Sequence, residues 1–238
     1  MKIIILAGGL GTRISEETED KPKPMVLIDD KPLIWHLMNI FAMQGFKEFI
    51  IATGYKGDVI QKWVSGLKHN SDEMGWKITV LETGLESQTG GRIAMCMKTI
   101  PNERVIATYG DGLANVSISQ LLKYHDLKKK FATITAVRPP ARFGVLDIEG
   151  GIVMHFGEKN QSDSGWINGG FFVLEPQVVE YVSSDLEPFE LGALPKLVSE
   201  NQLSAYQHFG FWKPMDTLRE RGELEILAKQ LTPPWLAK

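Results

Sequence analysis

Residues 1–24 read MKIIILAGGLGTRISEETEDKPKP, and this stretch predicts the start of an α/β fold. The apolar run at residues 3–7 is rich in β-branched side chains and ends in glycine, which is typical of a buried parallel strand. Gly8, Gly9 and Gly11 follow within four positions, so that successive backbone N–H groups can converge on an anion. The stretch therefore predicts a phosphate-binding turn after a first strand.

Cationic side chains surround this turn in the sequence. The Arg13 guanidinium offers a fork of donors that suits phosphate oxygens. Lys21 and Lys23 alternate with Pro22 and Pro24, which fix the backbone beside both lysines. We expect this stiff arm to hold an ammonium group over the same site, which favours polyphosphate as the ligand.

Glycine turns after a first strand are common in α/β proteins, so we compare this turn with two other phosphate-binding turns, the dinucleotide-binding turn and the Walker loop. A dinucleotide-binding turn has a third glycine, but Ile14 stands where that glycine would be. The second strand should then end in an acidic residue, whereas it runs into Thr53 and Gly54. No Gly-Lys-Ser/Thr follows the turn, as a Walker loop requires. These differences disfavour a dehydrogenase and a P-loop enzyme.

The composition is that of a globular protein and narrows the partners. The chain has 238 residues, 43% of them hydrophobic, and a net charge of −3, which disfavours broad nucleic-acid or acidic-membrane binding. The apolar run before Gly8 is too short for a signal peptide, so we expect a cytoplasmic protein. Cys96 is the only cysteine, which excludes an internal disulfide and favours a core position.

Alternating patterns predict a Rossmann-like, mixed and mainly parallel sheet flanked by helices, with a small β-rich region. Further strands are predicted at residues 48–52, 77–82, 104–109, 131–138, 166–174 and 203–208. Helices are predicted at residues 32–43, 58–64, 92–98, 117–130, 176–182, 191–200 and 218–229. A hairpin at residues 143–156 begins the β-rich part. We expect one domain, in which residues 1–138 alternate strands and helices and residues 139–238 contain the β-rich region.

Three polar residues near predicted strand and helix ends allow two interpretations each. Asp111 lies between glycines at a strand end, where it is either a turn residue or a metal ligand. Thr89 is either the N-cap of a helix or part of a ligand-binding loop. Asp216 precedes the last predicted helix and is either its N-cap or a site residue.

The combination GGLGTR with KPKPM resembles the signature of sugar-1-phosphate nucleotidylyltransferases. Further motifs are similar in the same order up to about residue 235: GYKG at Gly54, TGGR at Thr89, YGDG at Tyr109, RFG at Arg142, NGGFFVL at Asn168 and GFWKPMDT at Gly210. The likeness is greatest to the cytidylyltransferases of this family. It implies the nucleotide-diphospho-sugar transferase type of fold, a homo-oligomer, and transfer of a cytidylyl group from CTP to α-D-glucose 1-phosphate in deoxysugar or O-antigen type polysaccharide biosynthesis.

The resemblance also implies a nucleotide-binding part at 1–138, a sugar-binding part with the closing helix at 139–238, and roles for individual residues. Arg13, Lys23 and Asp111 would be catalytic, and Asp111 with Asp216 would bind Mg²⁺. The nucleotide would be bound by Leu6, Ala7, Gly8, Gly9, Gly11, Thr12, Arg13, Lys23, Ser87, Gly91, Arg92 and Gly110. The sugar phosphate would be bound by Gly144, Glu158, Lys159, Asn168 and Gly169. Ser87 and Arg92 would lie near the cytosine, with the glycines of TGGR letting main chain approach the ring.

The chain departs from the family pattern at four places. Asn115 replaces an acid, Asn160 replaces a proline, Lys213 replaces a glutamine, and the region at residues 68–76 is short. Use of UTP, dTTP or another sugar 1-phosphate, and a non-catalytic nucleotide-sugar-binding regulator, remain alternatives.

Overall fold

The computed structural model describes residues 1–67, 74–139, 144–149, 151–158 and 165–237. Its strands are β1 (Lys2–Ala7), β2 (Leu27–Ile28), β3 (Lys31–Pro32), β4 (Glu48–Thr53), β5 (Lys77–Glu82), β6 (Val105–Tyr109), β7 (Gly112–Ala114), β8 (Ala132–Val137), β9 (Gly144–Glu149), β10 (Ile152–Glu158), β11 (Ile167–Leu174), β12 (Leu203–Gln207) and β13 (Trp212–Pro214). Its α-helices are α1 (Ser15–Thr18), α2 (Leu33–Ala42), α3 (Gly57–Gly66), α4 (Thr89–Lys98), α5 (Ile118–Lys128), α6 (Ala193–Ser199) and α7 (Leu218–Ala228).

Seven strands form the central sheet in the order β12-β8-β11-β6-β1-β4-β5. Strand β11 is antiparallel to both of its neighbours, and the remaining pairs are parallel. The predicted mixed, mainly parallel sheet is confirmed. Strand β1 lies between β4 and β6, so the strand order reverses beside it, and a crevice is expected at its carboxyl end.

Helices cover both faces of the sheet, as the apolar run of β1 predicts. Ile3 and Ile5 point into one core, which contains side chains of α2, α3, α5 and α7. Ile4 and Leu6 point into the other core, formed with α4 and α6. Cys96 is fully buried in this second core, and burial raises the pKa of its thiol to about 12, which confirms a packing role.

Several element boundaries differ from the sequence prediction. Helix α4 begins at Thr89, three residues before the predicted start, and its N-cap is Gln88, so the N-cap interpretation of Thr89 is wrong. The segment Pro176–Tyr181 forms a 3-10 helix, stabilised at its start by proline. Asp216 is not the N-cap of α7, because Thr217 takes that position and accepts a hydrogen bond from the backbone N–H of Glu220.

Three small antiparallel pairs lie outside the central sheet in the described part of the chain, and two of them contain or adjoin predicted site residues. Strands β9 and β10 form the predicted hairpin, with Gly151 at φ 84° in its turn. Strands β7 and β13 pair next to the carboxyl end of β6, which the sequence analysis missed. In the described part of the chain, no helix is long and apolar enough to cross a membrane.

Candidate active site

A cleft of about 580 Å³ opens at the carboxyl end of β1, between β4 and β6. This is the edge at which parallel α/β sheets bind ligands, because the loops after neighbouring strands converge there. Most of the predicted nucleotide-binding residues line it: Leu6, Ala7, Gly8, Gly9, Gly11, Thr12, Arg13, Lys23, Ser87, Arg92 and Gly110. Asp111 and Asp216 line the same cleft, which places the predicted catalytic and metal-binding residues around one volume.

Two features of the turn after β1 require glycine. Gly11 has φ 67°, a left-handed conformation that starts the following 3-10 turn at Thr12–Ile14. A Cβ atom on Gly8 would lie 2.2 Å from Nη1 of Arg92, so a side chain there would displace the guanidinium. The turn after β1 therefore needs glycine both for its conformation and for what packs beneath it.

Lys23 joins the two predicted metal-binding carboxylates. Its ammonium lies 2.9 Å from Oδ2 of Asp111 and 2.6 Å from Oδ1 of Asp216. Burial alone would lower the pKa of Lys23, but the two carboxylates outweigh it and raise that pKa. The proline-flanked arm thus holds Lys23 in the cleft as predicted, whereas Lys21 lies 4.0 Å from Glu17 and does not line the cleft.

Asp216 reaches Asp111 because of a strand pairing far apart in sequence. The β7–β13 ladder pairs Pro214 with Gly112, and the N–H of Met215 donates to the carbonyl of Asp111 at 2.8 Å. Asp216 is partly buried, which by itself raises its pKa, yet Lys23 and Arg13 lower the pKa overall. The carboxylate therefore remains ionised at neutral pH.

Arg13 extends over the mouth of the cleft. Its Nη1 lies 3.1 Å from Oδ2 of Asp216, and its side chain is 76% exposed. Such an exposed ion pair stabilises the protein little, so Arg13 can exchange Asp216 for an anionic ligand without a large energetic penalty.

Arg92 has a supporting place beneath the turn. Its side chain is buried, and it donates to the carbonyls of Gly8, Thr53 and Gly84 at 2.9–3.1 Å and to Thr83 Oγ1 at 2.6 Å. These acceptors lie at the carboxyl ends of β1, β4 and β5 or directly after them. The guanidinium therefore connects the ends of three strands by hydrogen bonds at the floor of the cleft. That Arg92 lies near a cytosine stays a prediction.

The glycines of the TGGR motif are adjacent to protein backbone. A Cβ on Gly90 would lie 2.6 Å from the carbonyl oxygen of Glu187, and one on Gly91 would lie 2.2 Å from that of Asp185. Gly91 does not line the cleft. These glycines therefore let α4 pack on residues 185–189, which is a reason for glycine that the sequence did not reveal. The approach of main chain to a base stays a prediction.

Of the residues predicted for the sugar phosphate, Asn168 and Gly169 do not line this cleft. Gly144 and Glu158 pair with each other at the open ends of β9 and β10. Asn168 and Gly169 lie near the start of β11, and Asn168 Nδ2 donates at 2.8 Å to the hydroxyl of Tyr109, which does line the cleft. Lys159 lies outside the described residues.

Tyr109 and Gln88 also line the cleft and were not among the predicted site residues. Thr89 lines it too, in agreement with the second of the two interpretations given for it above. Tyr109 was visible as the first residue of YGDG, at the end of a buried strand. Its partners Asn168 and Glu190 lie 59 and 81 residues away, and no local pattern links them.

The carboxylates of Asp111 and Asp216 suit a magnesium ion. Both contact one ammonium group, so two oxygen ligands converge on a small volume inside the cleft. Among the described residues, no three His, Cys, Asp or Glu side chains group as a protein-only metal site. Mg²⁺ is commonly held by one or two carboxylates together with substrate phosphates, and the donor set fits that mode.

Residues 2–217 match the family described as nucleotidyl transferase. The chain belongs to the nucleotidyl transferase family. It is 43% identical to a glucose-1-phosphate cytidylyltransferase of Salmonella typhi, over 99% of this chain and 98% of that protein. A probable glucose-1-phosphate cytidylyltransferase of Bacillus subtilis is 41% identical over 99% of both chains. The predicted family is confirmed.

Solved structures support the fold of this nucleotidyl transferase. HddC from Yersinia pseudotuberculosis complexed with GMP-PN is 26% identical, with a TM-score of 0.75 over 96% of this chain and 99% of that one. A putative glucose-1-phosphate thymidylyltransferase from Bacillus anthracis in complex with a sucrose is 23% identical and gives a TM-score of 0.75, covering 98% of this chain and 96% of that chain.

The alignments with both bacterial cytidylyltransferases contain more positions than this chain has residues. They extend over 253 and 252 residues, against 238 here, so those relatives carry residues without a counterpart. The predicted shortening near residues 68–76 stays a prediction, and residues 68–73 lie outside the described residues.

Proposed function

We propose that this nucleotidyl transferase transfers the cytidylyl group of CTP to α-D-glucose 1-phosphate, giving CDP-glucose and pyrophosphate. The observation that carries the proposal is the meeting of the glycine turn, Lys23, Asp111 and Asp216 around one cleft. The cytidylyltransferases at 41–43% identity, matched over almost their full length, support this substrate pair.

The glycine turn and Arg13 bind the triphosphate in this proposal. Gly9 and Gly11 line the cleft and have no side chains to keep a ligand from their backbone, and glycine-rich turns of this kind attract anions. Arg13 releases Asp216 and binds the β- and γ-phosphates with its forked donors. The loop with Ser87, above the buried Arg92, holds the base.

No general base is needed, because a phosphate oxygen of glucose 1-phosphate is already a nucleophile at neutral pH. That oxygen forms a bond to the α-phosphorus of CTP, and the bond from the α-phosphorus to the bridging oxygen of pyrophosphate breaks. Repulsion between the two anions opposes their approach, so catalysis depends on positioning and charge stabilisation. Lys23 lies between the carboxylates and the turn, from where its ammonium neutralises the α-phosphate and the incoming nucleophile.

Asp111 and Asp216 hold Mg²⁺ in this proposal, and the metal supplies charge neutralisation for the triphosphate and for the leaving pyrophosphate. Lys23 donates to both carboxylates, and these contacts are exchanged for phosphate oxygens when the substrates bind. Phosphate oxygens are also anionic, so the ammonium stays next to negative charge, which favours its protonated form.

The sugar side is assigned to Gly144, Glu158, Lys159, Asn168 and Gly169. Lys159 pairs with the sugar phosphate, and Glu158 and Asn168 bind sugar hydroxyls. The resemblance further supports a cytoplasmic homo-oligomer that serves deoxysugar or O-antigen type polysaccharide biosynthesis.

The test is pyrophosphate release from each of CTP, UTP, dTTP and GTP, paired with glucose, mannose and galactose 1-phosphates. GTP belongs in the panel because relatives at 27–28% identity are named mannose-1-phosphate guanylyltransferases. We expect CTP with glucose 1-phosphate to be turned over fastest and only with added Mg²⁺. Faster release with another pair would reassign the substrates, and no release with any pair would favour a nucleotide-sugar-binding regulator.

A further inference from the structure

A chain of hydrogen bonds runs behind the cleft and joins three segments that are distant in sequence. The amide of Asn168 donates to the hydroxyl of Tyr109 at 2.8 Å, and this hydroxyl donates to Oε1 of Glu190. The other carboxylate oxygen of Glu190 accepts from the hydroxyl of Thr89 at 2.7 Å. Thr89 Oγ1 in turn accepts from the N–H of Phe189 at 2.8 Å. Strand β11, the end of β6 and the start of α4 are thereby connected.

The direction of each bond follows from the donors available. An ionised Glu190 only accepts, so the single proton of the Tyr109 hydroxyl is committed to it. The Tyr109 oxygen can then only accept from Asn168, which requires the NH₂ group of the amide to face it.

The other end of the Asn168 amide is fixed as well. Oδ1 of Asn168 accepts from the N–H of Gly170 at 2.8 Å. With Nδ2 on Tyr109 and Oδ1 on Gly170, the amide cannot rotate by 180° without losing both bonds. Within the residues that the structure describes, one N–H and one lone pair of Oδ1 have no further partner, so a donor lies next to an acceptor that a ligand could use.

The backbone of β11 is shaped to admit Tyr109. Pairing with β8 is interrupted between Asn168 and Phe172, and Gly170 has φ 80°. A Cβ atom on Gly170 would lie 2.4 Å from the Tyr109 ring, and one on Gly169 would lie 2.7 Å from Val137. Glycine inside a strand is unfavourable unless something must approach closely, and here the aromatic ring does.

We propose that the Tyr109–Glu190 pair is a positioning unit for sugar selection: it fixes the donor and acceptor of Asn168 that distinguish the hydroxyl groups of the sugar 1-phosphate. This inference rests on the proposed function, in which Asn168 binds the sugar. Tyr109 and Glu190 act through Asn168 and are positioning residues. Asn168 is half-buried, and an amide that binds hydroxyls there discriminates because a missing or inverted hydroxyl leaves one of its polar atoms unpaired.

The first test compares Tyr109→Phe with Tyr181→Phe. Tyr181 is a matched control because its hydroxyl also donates to a carboxylate, that of Glu200 at 2.5 Å, outside the cleft lining. In Tyr109→Phe we expect the KM for glucose 1-phosphate to rise about tenfold, as loss of one hydrogen bond of roughly 1.4 kcal/mol implies. The KM for CTP and kcat should stay near wild type, and the preference for glucose over galactose 1-phosphate should fall by about the same factor. Tyr181→Phe should change none of these.

The second test asks whether Tyr109 acts through Asn168. Tyr109→Phe should add nothing to the KM effect of Asn168→Ala, because the amide that it positions is gone. Glu190→Gln retains an acceptor for Tyr109 and should be milder than Glu190→Ala. Independent effects in the double variant, or an equal loss of kcat with all sugars, would overturn the proposal.

The wild-type protein separates this inference from the proposed function. If it prefers a pair other than CTP and glucose 1-phosphate, the proposed substrates are wrong, and the variants are measured with the preferred sugar and its epimer. Unchanged sugar preference in Tyr109→Phe overturns the positioning role even when the proposed substrates are correct. A wild type that is inactive with every pair overturns both. Circular dichroism and thermal unfolding show whether the variants fold. If Tyr109→Phe does not fold, the sugar preference is measured in Glu190→Gln instead.

Discussion

Two polar clusters lie at opposite ends of the parallel strands of the central sheet and contain similar residues. The cleft cluster consists of Arg13, Lys23, Asp111 and Asp216 at the carboxyl end of β1. The far-edge cluster consists of Arg104, His125, Thr133, Glu175 and Ser204. Both combine cations with carboxylates, but their partners are arranged differently.

The polar side chains of the far-edge cluster bond mainly to one another. Arg104 binds Glu175 at 2.6 Å, His125 contacts Glu175 and Thr133 at 3.1 and 2.7 Å, and the hydroxyls of Thr133 and Ser204 are 2.7 Å apart. In the cleft cluster one ammonium serves two carboxylates, and Arg13 is 76% exposed. Arg104 likewise binds two carboxylates, those of Glu175 and Asp126, so the sharing of a cation does not distinguish the clusters. What distinguishes the cleft cluster is that its side chains line a cavity of about 580 Å³, where a ligand can reach them.

The largest effect is expected from removing the shared cation. Lys23→Ala should lower kcat for pyrophosphate release by roughly 10² to 10³, the loss typical of one donor to a transition state. Lys21→Ala is the matched control, because Lys21 is two residues away and pairs with Glu17 outside the cleft. Turnover near wild type in Lys23→Ala would remove Lys23 from the chemistry.

The metal assignment predicts the next effect. Asp111→Asn should raise the Mg²⁺ concentration for half-maximal activity at least about tenfold, the lower end of what losing a supporting partner of a metal site does. Asp126→Asn removes a carboxylate that binds Arg104 at the far edge and should leave the titration unchanged. An Asp111→Asn titration that overlays the wild type would show that the metal is held elsewhere.

Breaking the far-edge cluster should affect stability and spare activity. Thr133→Val leaves His125 and Ser204 without their shared hydroxyl and should lower the free energy of unfolding by about 1–3 kcal/mol in urea titrations. Thr135→Val is the control on the same strand, since the buried Thr135 hydroxyl has no hydrogen-bond partner in the described part of the chain. Loss of turnover in Thr133→Val at unchanged stability would contradict the division between the clusters.

The smallest effect is a dependence of stability on pH. Burial lowers the pKa of His125 below its ordinary value, only partly offset by its hydrogen bond to Glu175. The unfolded chain therefore takes up the proton at a higher pH than the native protein does. This contribution to stability is present above pH 6.5, the ordinary value, and is lost as the pH falls through the folded pKa.

The slope from His125 is at most about 1.4 kcal/mol per pH unit, and His36 and His208, whose pKa values burial also lowers, add to it. Urea unfolding between pH 7 and 5 measures the slope, which should be shallower in His125→Gln. An equal slope in that variant would show that His125 does not titrate with unfolding.

The sequence determined the parts of this protein that depend on neighbouring residues. Buried strand β1, the glycine turn after it and the proline-flanked Lys23 follow from backbone preferences and from side-chain periodicity over a few positions. The carboxyl ends of parallel strands share one sheet edge, so the placement of Asp111 near the turn also followed. The ordered motifs then sufficed to assign the nucleotidyl transferase family.

Only the tertiary structure decided how residues far apart in the chain combine. The β7–β13 pairing brings Asp216 to Lys23, burial turns Arg92 into a support for three loops, and Glu190 meets Tyr109 across 81 residues. Each contact depends on how helices and strands pack, and several backbones could carry the same local pattern. Packing also decides which charged side chains bond only to other protein groups and which line a cleft that a ligand can enter.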